Sequence, residues 1–249
     1  MQFSPNVSVI IPALNEAQTM ERVVWGLVGL RSDNGQALLL ETIVANNGST
    51  DKTAALARAA GARVIEVPKR GYGQACWEAS DKALGDILVF VDGDGAVDVK
   101  DIRFLLEGIA EGADLVIGNR RVFDPGSMTS TQVFGNWFSC RLMNLIWGMD
   151  AKDLGPLRAI RRDAYQSLKM QDRSYGWTVE MQVRAHVLGM RTAQCDVSWR
   201  ARAGGVSKVS GTVRGAIGAG IGILGMIFRI WLSERRRSAS IPVIKIQQH

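Results

Sequence analysis

Ile87-Leu-Val-Phe-Val-Asp-Gly-Asp-Gly95 is the stretch whose reading decides the fold. Its first five residues are apolar and mostly β-branched or aromatic, which predicts a strand buried on both faces. Asp92 and Asp94 follow, one residue apart and separated by Gly93. In an extended chain that spacing puts both side chains on one face. At the carboxyl end of a parallel strand, where α/β sheets bind ligands, the pair can share one hard cation. Gly93 and Gly95 permit a sharp turn and the close approach of a bulky anion. The competing reading is a polar turn that closes the strand, because Asp and Gly favour turns in general.

Outward from this stretch the pattern repeats. Val7–Ile11 is a short apolar strand ending at Pro12, and a helical pattern runs from Ala17 to about Leu30. Thr42–Ala45 is a second strand, followed by the polar loop Asn46–Asp51. Ser49 or Thr50 is expected to cap an alanine-rich helix over Lys52–Ala60, which Gly61 closes. Arg63–Val67 is a third strand, and Gly71–Gln74 opens a helix running to about Leu84. Beyond the acidic pair, Val99–Glu111 is helical and Leu115–Gly118 is a fifth strand. Such alternation predicts an α/β fold with a mostly parallel central sheet and helices on both faces.

Composition narrows the partners. The chain has 249 residues, 47% of them hydrophobic and 22% charged, enough for one large core and a small appendage. Its net charge of +6 points to anionic partners: phosphates, nucleotides or an acidic membrane surface. Basic residues gather at Arg120–Arg121, Arg158–Arg162, Arg200–Arg202 and Arg235–Arg237. Cys76, Cys140 and Cys195 are far apart and show no metal spacing, which fits small buried thiols in a reducing compartment. The start MQFSPNVSVIIP lacks the basic and long apolar regions of a signal peptide. No G-x-G-x-x-G follows the first strand, Gly71-x-Gly73 lacks a third glycine, and no G-x-x-x-x-G-K-[ST] occurs. An NAD or ATP enzyme of the usual kind is thereby disfavoured. Nucleic acid is not expected as a partner.

Taken in order, VSVIIPALNEA, IVANNGSTDKT, KRGYGQA, ILVFVDGDG and LVIGNRR resemble the family 2 inverting glycosyltransferases of the GT-A fold. Within that family the resemblance is to polyprenyl-phosphate sugar transferases such as dolichol-phosphate mannosyltransferase. It covers residues 7–121 by these motifs and continues through KDLGPLRAIRR, YGWTVEMQVRA and WRARAGGVSKVSG. It implies a Rossmann-like sheet that binds a UDP- or GDP-sugar through Pro12, Ala13, Asn15, Glu16, Asn46, Gly48, Lys69, Gly73, Asp92 and Gly93. The family reads Asp-Asp-Gly-Ser in the second loop, where this chain has Asn46 and Asn47. An Asn carbonyl still accepts the imino proton of a base, and an Asn-Gly turn at Asn47-Gly48 fits equally well.

Asp92 and Asp94 match the family's metal motif, which implies Mg²⁺ or Mn²⁺ bridging the donor diphosphate and easing its departure. Arg120, Arg158, Arg202, Ser207 and Lys208 match positions that grip phosphate, a task suited to guanidinium forks. For Arg158–Arg162 the alternative is a basic helix start. The implied catalytic set is Asp94, Asp153 and Glu180. An acceptor phosphate is already anionic and needs alignment more than a base. A hydroxyl acceptor would call on Asp153 or Glu180 instead. For Glu180 the plain alternative is a solvent-exposed helix residue. The Arg-x-x-x-Ser element that lipid-phosphate relatives carry after the fifth strand is here Gln132–Asn136.

Residues 1–210 are expected to form one GT-A domain, 1–121 its nucleotide-sugar half and 122–210 its acceptor half. Gly215–Phe228 is a charge-free apolar run of 14 residues, shorter than the roughly 20 that cross a bilayer. With Trp231 and Arg235–Arg237, residues 211–237 read either as an amphipathic anchor on anionic lipid or as a core helix. Its glycines also suit close helix packing, including against a partner, and a homo-oligomer is a further possibility. Residues 238–249 read as a tail. The expectation is a cytoplasmic enzyme, peripheral at the membrane face, that transfers sugar to a polyprenyl phosphate. A soluble hydroxyl acceptor, such as a phosphorylated small acid, and a non-catalytic nucleotide-sugar binding module are the alternatives.

Overall fold

Runs of β-branched residues alternate with amphipathic helices along the first half of the chain, and each pair becomes one βα unit. The structure, a computed structural model, describes residues 6–122, 124, 127–204 and 213–239. Strands β1 (Val7–Ala13), β2 (Glu41–Asn46), β3 (Arg63–Glu66) and β4 (Ile87–Phe90) are joined by α1 (Ala17–Val28), α2 (Thr53–Ala59) and α3 (Tyr72–Lys82). A 3₁₀ turn (Val99–Asp101) and α4 (Ile102–Ala110) lead to β5 (Leu115–Val122). There follow α5 (Ser130–Trp147), β6 (Arg158–Arg161), α6 (Arg162–Leu168), α7 (Trp177–Val187), β7 (Thr192–Trp199) and α8 (Val213–Ala239).

All seven strands form one sheet in the order β3-β2-β1-β4-β6-β5-β7. Six run parallel, and β6 is antiparallel to its neighbours β4 and β5. The sheet is therefore mixed but mostly parallel, as the alternation predicts. Arg158–Arg162 departs from its reading as a helix start. Arg158 pairs with Phe90 and Ile117 in the sheet, and the helix begins only at Arg162.

β4 is central and every residue in it is buried. Val89 points with Val9, Ile11, Leu27 and Leu105 into one layer. Leu88 and Phe90 point with Ile10, Leu115 and Trp177 into the other. This alternation explains why an all-apolar segment was needed here. β1 runs through Pro12 to Ala13, beyond its expected end, because Ala13 O still accepts Asn47 N at 2.8 Å. The start of α2 is held by Asp51, whose Oδ1 accepts Thr53 N at 3.0 Å, rather than by Ser49 or Thr50. Those two instead tie the first loop to the second. Ser49 Oγ accepts Asn15 N at 3.0 Å, and Asn15 Oδ1 accepts Thr50 N at 2.8 Å.

A third apolar cluster lies outside the sheet between α5, α7 and α8, around Cys140, Met143, Val179, Val183, Met226, Ile227 and Ile230. α8 covers most of the segment 211–237. One of its faces enters this cluster while Ile221 and Phe228 remain exposed. Among the described residues, no helix is long and apolar enough to cross a membrane. The three cysteines are free, Cys76 and Cys140 buried and Cys195 half-buried. Most of the expected tail, residues 240–249, lies outside the described residues.

Candidate active site

The carboxyl end of β4 opens into a cleft of about 420 Å³ lined by Pro12, Glu16, Asn47, Arg70, Tyr72, Asp92, Gly93, Asp94, Tyr175 and Arg202, among others. β4 stops at Phe90, so Asp92 and Asp94 leave the sheet just where the strand's pairing ends. A Cβ on Gly93 would lie 3.1 Å from Ile11 Cγ2 and Met20 Cε, so the turn packs closely against β1 and α1, and a larger residue would have to push these side chains back. Asp94 Oδ1 accepts Ala96 N at 3.0 Å, which closes the turn and leaves Oδ2 toward the cleft. Tyr72 Oη donates to Asp92 Oδ1 at 3.1 Å. Burial, and then the charge of Asp94, push the Asp92 carboxyl from 3.8 up to about 7. A buried carboxyl raised in this way beside a second acidic side chain calls for positive charge nearby.

Part of that charge is supplied by Arg202. Its Nη1 lies 3.0 Å from Asp94 Oδ2, and its Nη2 donates to Glu16 Oε1 at 3.0 Å and Oε2 at 3.1 Å. A cation thus already stands against the pair. Hard carboxylate oxygens on adjacent turns suit Mg²⁺ or Mn²⁺. Among the described residues no cluster of three or more His, Cys, Asp or Glu is arranged to hold a metal alone. The remaining ligands for such an ion would have to be diphosphate oxygens and water, the usual arrangement for Mg²⁺. On that ground Asp92 and Asp94 fit the cation.

The cleft wall opposite β4 comes from the loop before α7, which runs into the motif YGWTVEMQVRA. Glu180, fully buried at the start of α7, accepts Gln171 N at 3.0 Å and Asp172 N at 2.7 Å, and it pairs with Arg184 Nε at 2.8 Å. The loop it holds brings Ser174 and Tyr175 to the cleft. It also covers the start of α3, where Gly73 N donates to Ser174 O at 3.1 Å and Gln74 N to Arg173 O at 2.9 Å. A Cβ on Gly71 would lie 2.1 Å from Arg173 O, and one on Gly73 2.8 Å from Asp172 O. These glycines therefore admit a protein loop. The amides of Gly73 and Gln74 are spent on it, so Gly73 departs from its expected nucleotide contact.

The other expected site residues divide by position. Pro12, Glu16 and Gly93 line the cleft. Ala13 and Asn15 build its first loop from behind, through Asn47 and Thr50 respectively. Asn46 is turned away: its Nδ2 donates to Glu66 Oε2 at 2.6 Å and its Oδ1 accepts Ser49 N at 3.2 Å. Its neighbour Asn47 reaches the cleft instead and pins residues 67–71, the segment that leads from β3 into α3. Asn47 Nδ2 donates to Lys69 O at 2.7 Å and Val67 O at 3.1 Å, and its Oδ1 accepts Gly71 N at 2.8 Å. Gly48, at φ +77°, leaves room for the Arg70 guanidinium, 3.2 Å from where a Cβ would sit. Lys69 is exposed and off the cleft, and Arg70 takes the place on its lining.

On the acceptor side, the fork of Arg120 is engaged by Asp153, with Nη2 to Oδ1 at 2.8 Å and Nε to Oδ2 at 3.0 Å. Asn136 Oδ1 accepts a third bond from Arg120 Nη2 at 3.0 Å, and the guanidinium lies 5.2 Å from the Trp199 ring. Asp153 is thus an ion-pair partner here, without the free lone pairs of a general base. Arg158 departs furthest from expectation. It is fully buried, donates to the carbonyls of Leu154, Gly155 and Thr178, and sits over Trp177 at 5.5 Å. It closes a structural turn and faces no ligand space. Glu180 is likewise corrected from a catalytic candidate to the clasp of the cleft loop. Arg202, expected with the acceptor, stands on the donor side, while Ser207 and Lys208 lie outside the described residues.

Comparison with known proteins agrees with this geometry. Residues 8–169 match the model of the family Glycosyl transferase family 2. An uncharacterized glycosyltransferase of Mycobacterium bovis is 34% identical over 212 residues, covering 85% of this chain and 93% of that protein. A dolichyl-phosphate hexose transferase of Haloferax volcanii is 28% identical, over 80% of this chain and 85% of that one. The solved structure of glucosyl-3-phosphoglycerate synthase from Mycobacterium tuberculosis, in complex with Mn²⁺, UDP and glucosyl-3-phosphoglycerate, has a TM-score of 0.72. It shares 25% identity and covers 90% of this chain and 79% of its own. With its mixed sheet, its acidic pair at the carboxyl end of β4 and a family match over most of its length, the chain belongs to glycosyl transferase family 2.

Proposed function

We propose that this enzyme moves a sugar from a UDP- or GDP-sugar to a polyprenyl phosphate at a membrane surface. The observation that carries the donor half is the pair Asp92 and Asp94 facing a guanidinium across one cleft. In this reading the base and ribose lie along Pro12, Glu16 and Asn47, and the diphosphate meets Asp92, Asp94 and Arg202. A bound Mg²⁺ or Mn²⁺ would neutralise the charge that grows on the departing nucleotide. Tyr72 holds Asp92 in place, and its own ring packs edge-on against Trp177 at 6.1 Å. The acceptor phosphate, already anionic, needs no base, so the pairing of Asp153 with Arg120 is no obstacle. Arg120, Ser207 and Lys208 remain its proposed ligands, while Arg158 and Glu180 leave the site list.

The lipid half of the proposal rests on an apolar surface. Val133, Phe134 and Trp137 on α5 and Ile221 and Phe228 on α8 are all exposed. Arg141 is exposed on α5, and Arg235 lies 4.2 Å from the Trp231 ring on α8. Apolar side chains beside arginines suit the boundary of an anionic bilayer. Residues 1–210 would then be the catalytic domain and 211–237 the membrane-associating segment, peripheral at the cytoplasmic face. A second reading, transfer to a soluble phosphorylated acid, is favoured by the likeness to glucosyl-3-phosphoglycerate synthase.

The test is a panel of radiolabelled UDP- and GDP-sugars offered with polyprenyl phosphate in vesicles or with 3-phosphoglycerate in solution. Label is expected in the lipid, and Asp94→Asn should cut its rate by about a hundredfold, or roughly 3 kcal/mol of charge stabilisation. Label in the soluble acid alone would establish the second reading. Donor binding without transfer to either acceptor would leave a binding module.

A further inference from the structure

Arg202 lies past the end of β7 and outside any helix or strand, yet it is bound to both walls of the donor cleft. Nη2 spans the two oxygens of Glu16, 186 residues away in sequence, and Nη1 meets Asp94 Oδ2 at 3.0 Å. Its segment is fastened on either side of the side chain: Arg200 N donates to Ala96 O at 2.8 Å and Ala203 N to Asp94 O at 3.3 Å. The guanidinium therefore takes up the Asp94 oxygen that the turn leaves open to the cleft. Its third nitrogen, Nε, is buried with no hydrogen-bond partner among the described residues. A buried donor of that kind is unfavourable until an acceptor oxygen reaches it.

A divalent cation and a guanidinium cannot share Asp94 Oδ2 without strong repulsion at this distance. A nucleoside diphosphate changes the balance, because its oxygens give the planar fork a better partner and satisfy Nε at the same time. We propose that Arg202 is the resident counter-cation of the acidic pair, and that it gives up Asp94 for the diphosphate only when the nucleotide arrives. Free metal then binds poorly to the empty cleft, and metal and nucleotide favour each other's binding. By linkage the coupling is reciprocal. The proposal rests on the reading of Asp92 and Asp94 as the cation site, but its measurement needs neither sugar transfer nor an acceptor.

The full chain is titrated with Mn²⁺ while the electron paramagnetic signal of free Mn²⁺ is followed, alone and with saturating UDP or, in a parallel arm, GDP. Wild type is expected to bind Mn²⁺ weakly alone and about tenfold more tightly with one nucleotide, within the usual range of coupling between sites. Arg202→Gln should bind Mn²⁺ alone about tenfold more tightly than wild type and gain less from nucleotide than wild type does, because only the ligands that the diphosphate itself supplies then couple the two. Arg202→Lys, which keeps the charge and loses the fork, should fall between them and carries the test if the Gln variant melts without cooperativity. A merely structural Arg202 predicts weaker Mn²⁺ binding in both states. Affinity for Mn²⁺ alone that is unchanged or reduced in the folded variants would overturn the proposal. If no Mn²⁺ binds wild type even with nucleotide, the cation reading itself fails. Absent transfer with intact coupling would count only against the acceptor.

Discussion

Asp92 is the side chain whose proton affinity changes most informatively on folding, since its carboxyl rises from 3.8 to about 7 through burial and the charge of Asp94. Between those values the folded state holds a proton that the unfolded state has released. The stabilisation is therefore complete below about pH 4 and is lost as pH rises through about 7. In chelator, the wild-type melting temperature should fall between about pH 4 and pH 7. Asp92→Asn should flatten that fall, being the more stable protein at the alkaline end. Thermal melts of the two proteins across this range decide the point, and parallel slopes would refute it. For the same reason metal binding should tighten as pH rises toward 7, because the ligand must lose its proton.

At the level of elements, the loop between α6 and α7 is where packing and chemistry meet. Glu180 holds it from below and the glycines of α3 receive it from above. Replacing Glu180 by Gln removes charged hydrogen bonds worth about 1.5–3 kcal/mol. The expected result is a clear loss in urea-unfolding stability along with weaker donor binding. A catalytic Glu180 predicts the reverse, with activity abolished at unchanged stability. Gly73→Ala tests the other side of the loop. Its Cβ would stand 2.8 Å from the Asp172 carbonyl, so the loop must shift, at about 1–3 kcal/mol. Calorimetry should show donor affinity falling with it, because Ser174 and Tyr175 ride on the same loop. Unchanged affinity would detach the loop from the nucleotide.

For the whole molecule, the question is what covers the outer face of α5 and α8. α8 cannot be an anchor alone, because Met226, Ile227 and Ile230 complete a cluster with α5 and α7. Deleting residues 211–237 should therefore lower stability as well as membrane binding, which joins the two alternatives read from the sequence. A cleaner variant leaves that cluster intact. Phe134→Glu with Trp137→Glu alters only exposed positions, and burial of one such side chain is worth about 1.5–3 kcal/mol. Partitioning onto anionic vesicles should fall by at least about tenfold, with melting temperature unchanged. Wild-type binding should itself weaken with salt as the arginines are screened. Equal partitioning of both proteins would remove α5 from the membrane contact.

Local chemistry made β4 and the acidic turn legible, because an all-apolar strand and an Asp-Gly-Asp-Gly turn each carry their meaning within a few residues. The βα alternation through β5 was legible for the same reason. Beyond it, periodicity could not show that Arg158 belongs to a strand, since a buried guanidinium satisfied by three carbonyls looks like any basic residue until its partners are assembled. Asn46 and Asn47 are adjacent and chemically equal; the end of β2 decides which one reaches the cleft. The motif from Tyr175 to Glu180 was legible, but not that Glu180 clasps a loop, since that role depends on the loop docking against α3. The sequence thus determined a parallel α/β core with an acidic pair at its carboxyl edge. Only the tertiary structure decided which charges stand there together, because Arg202 and Glu16 meet across 186 residues of chain through the closing of one sheet.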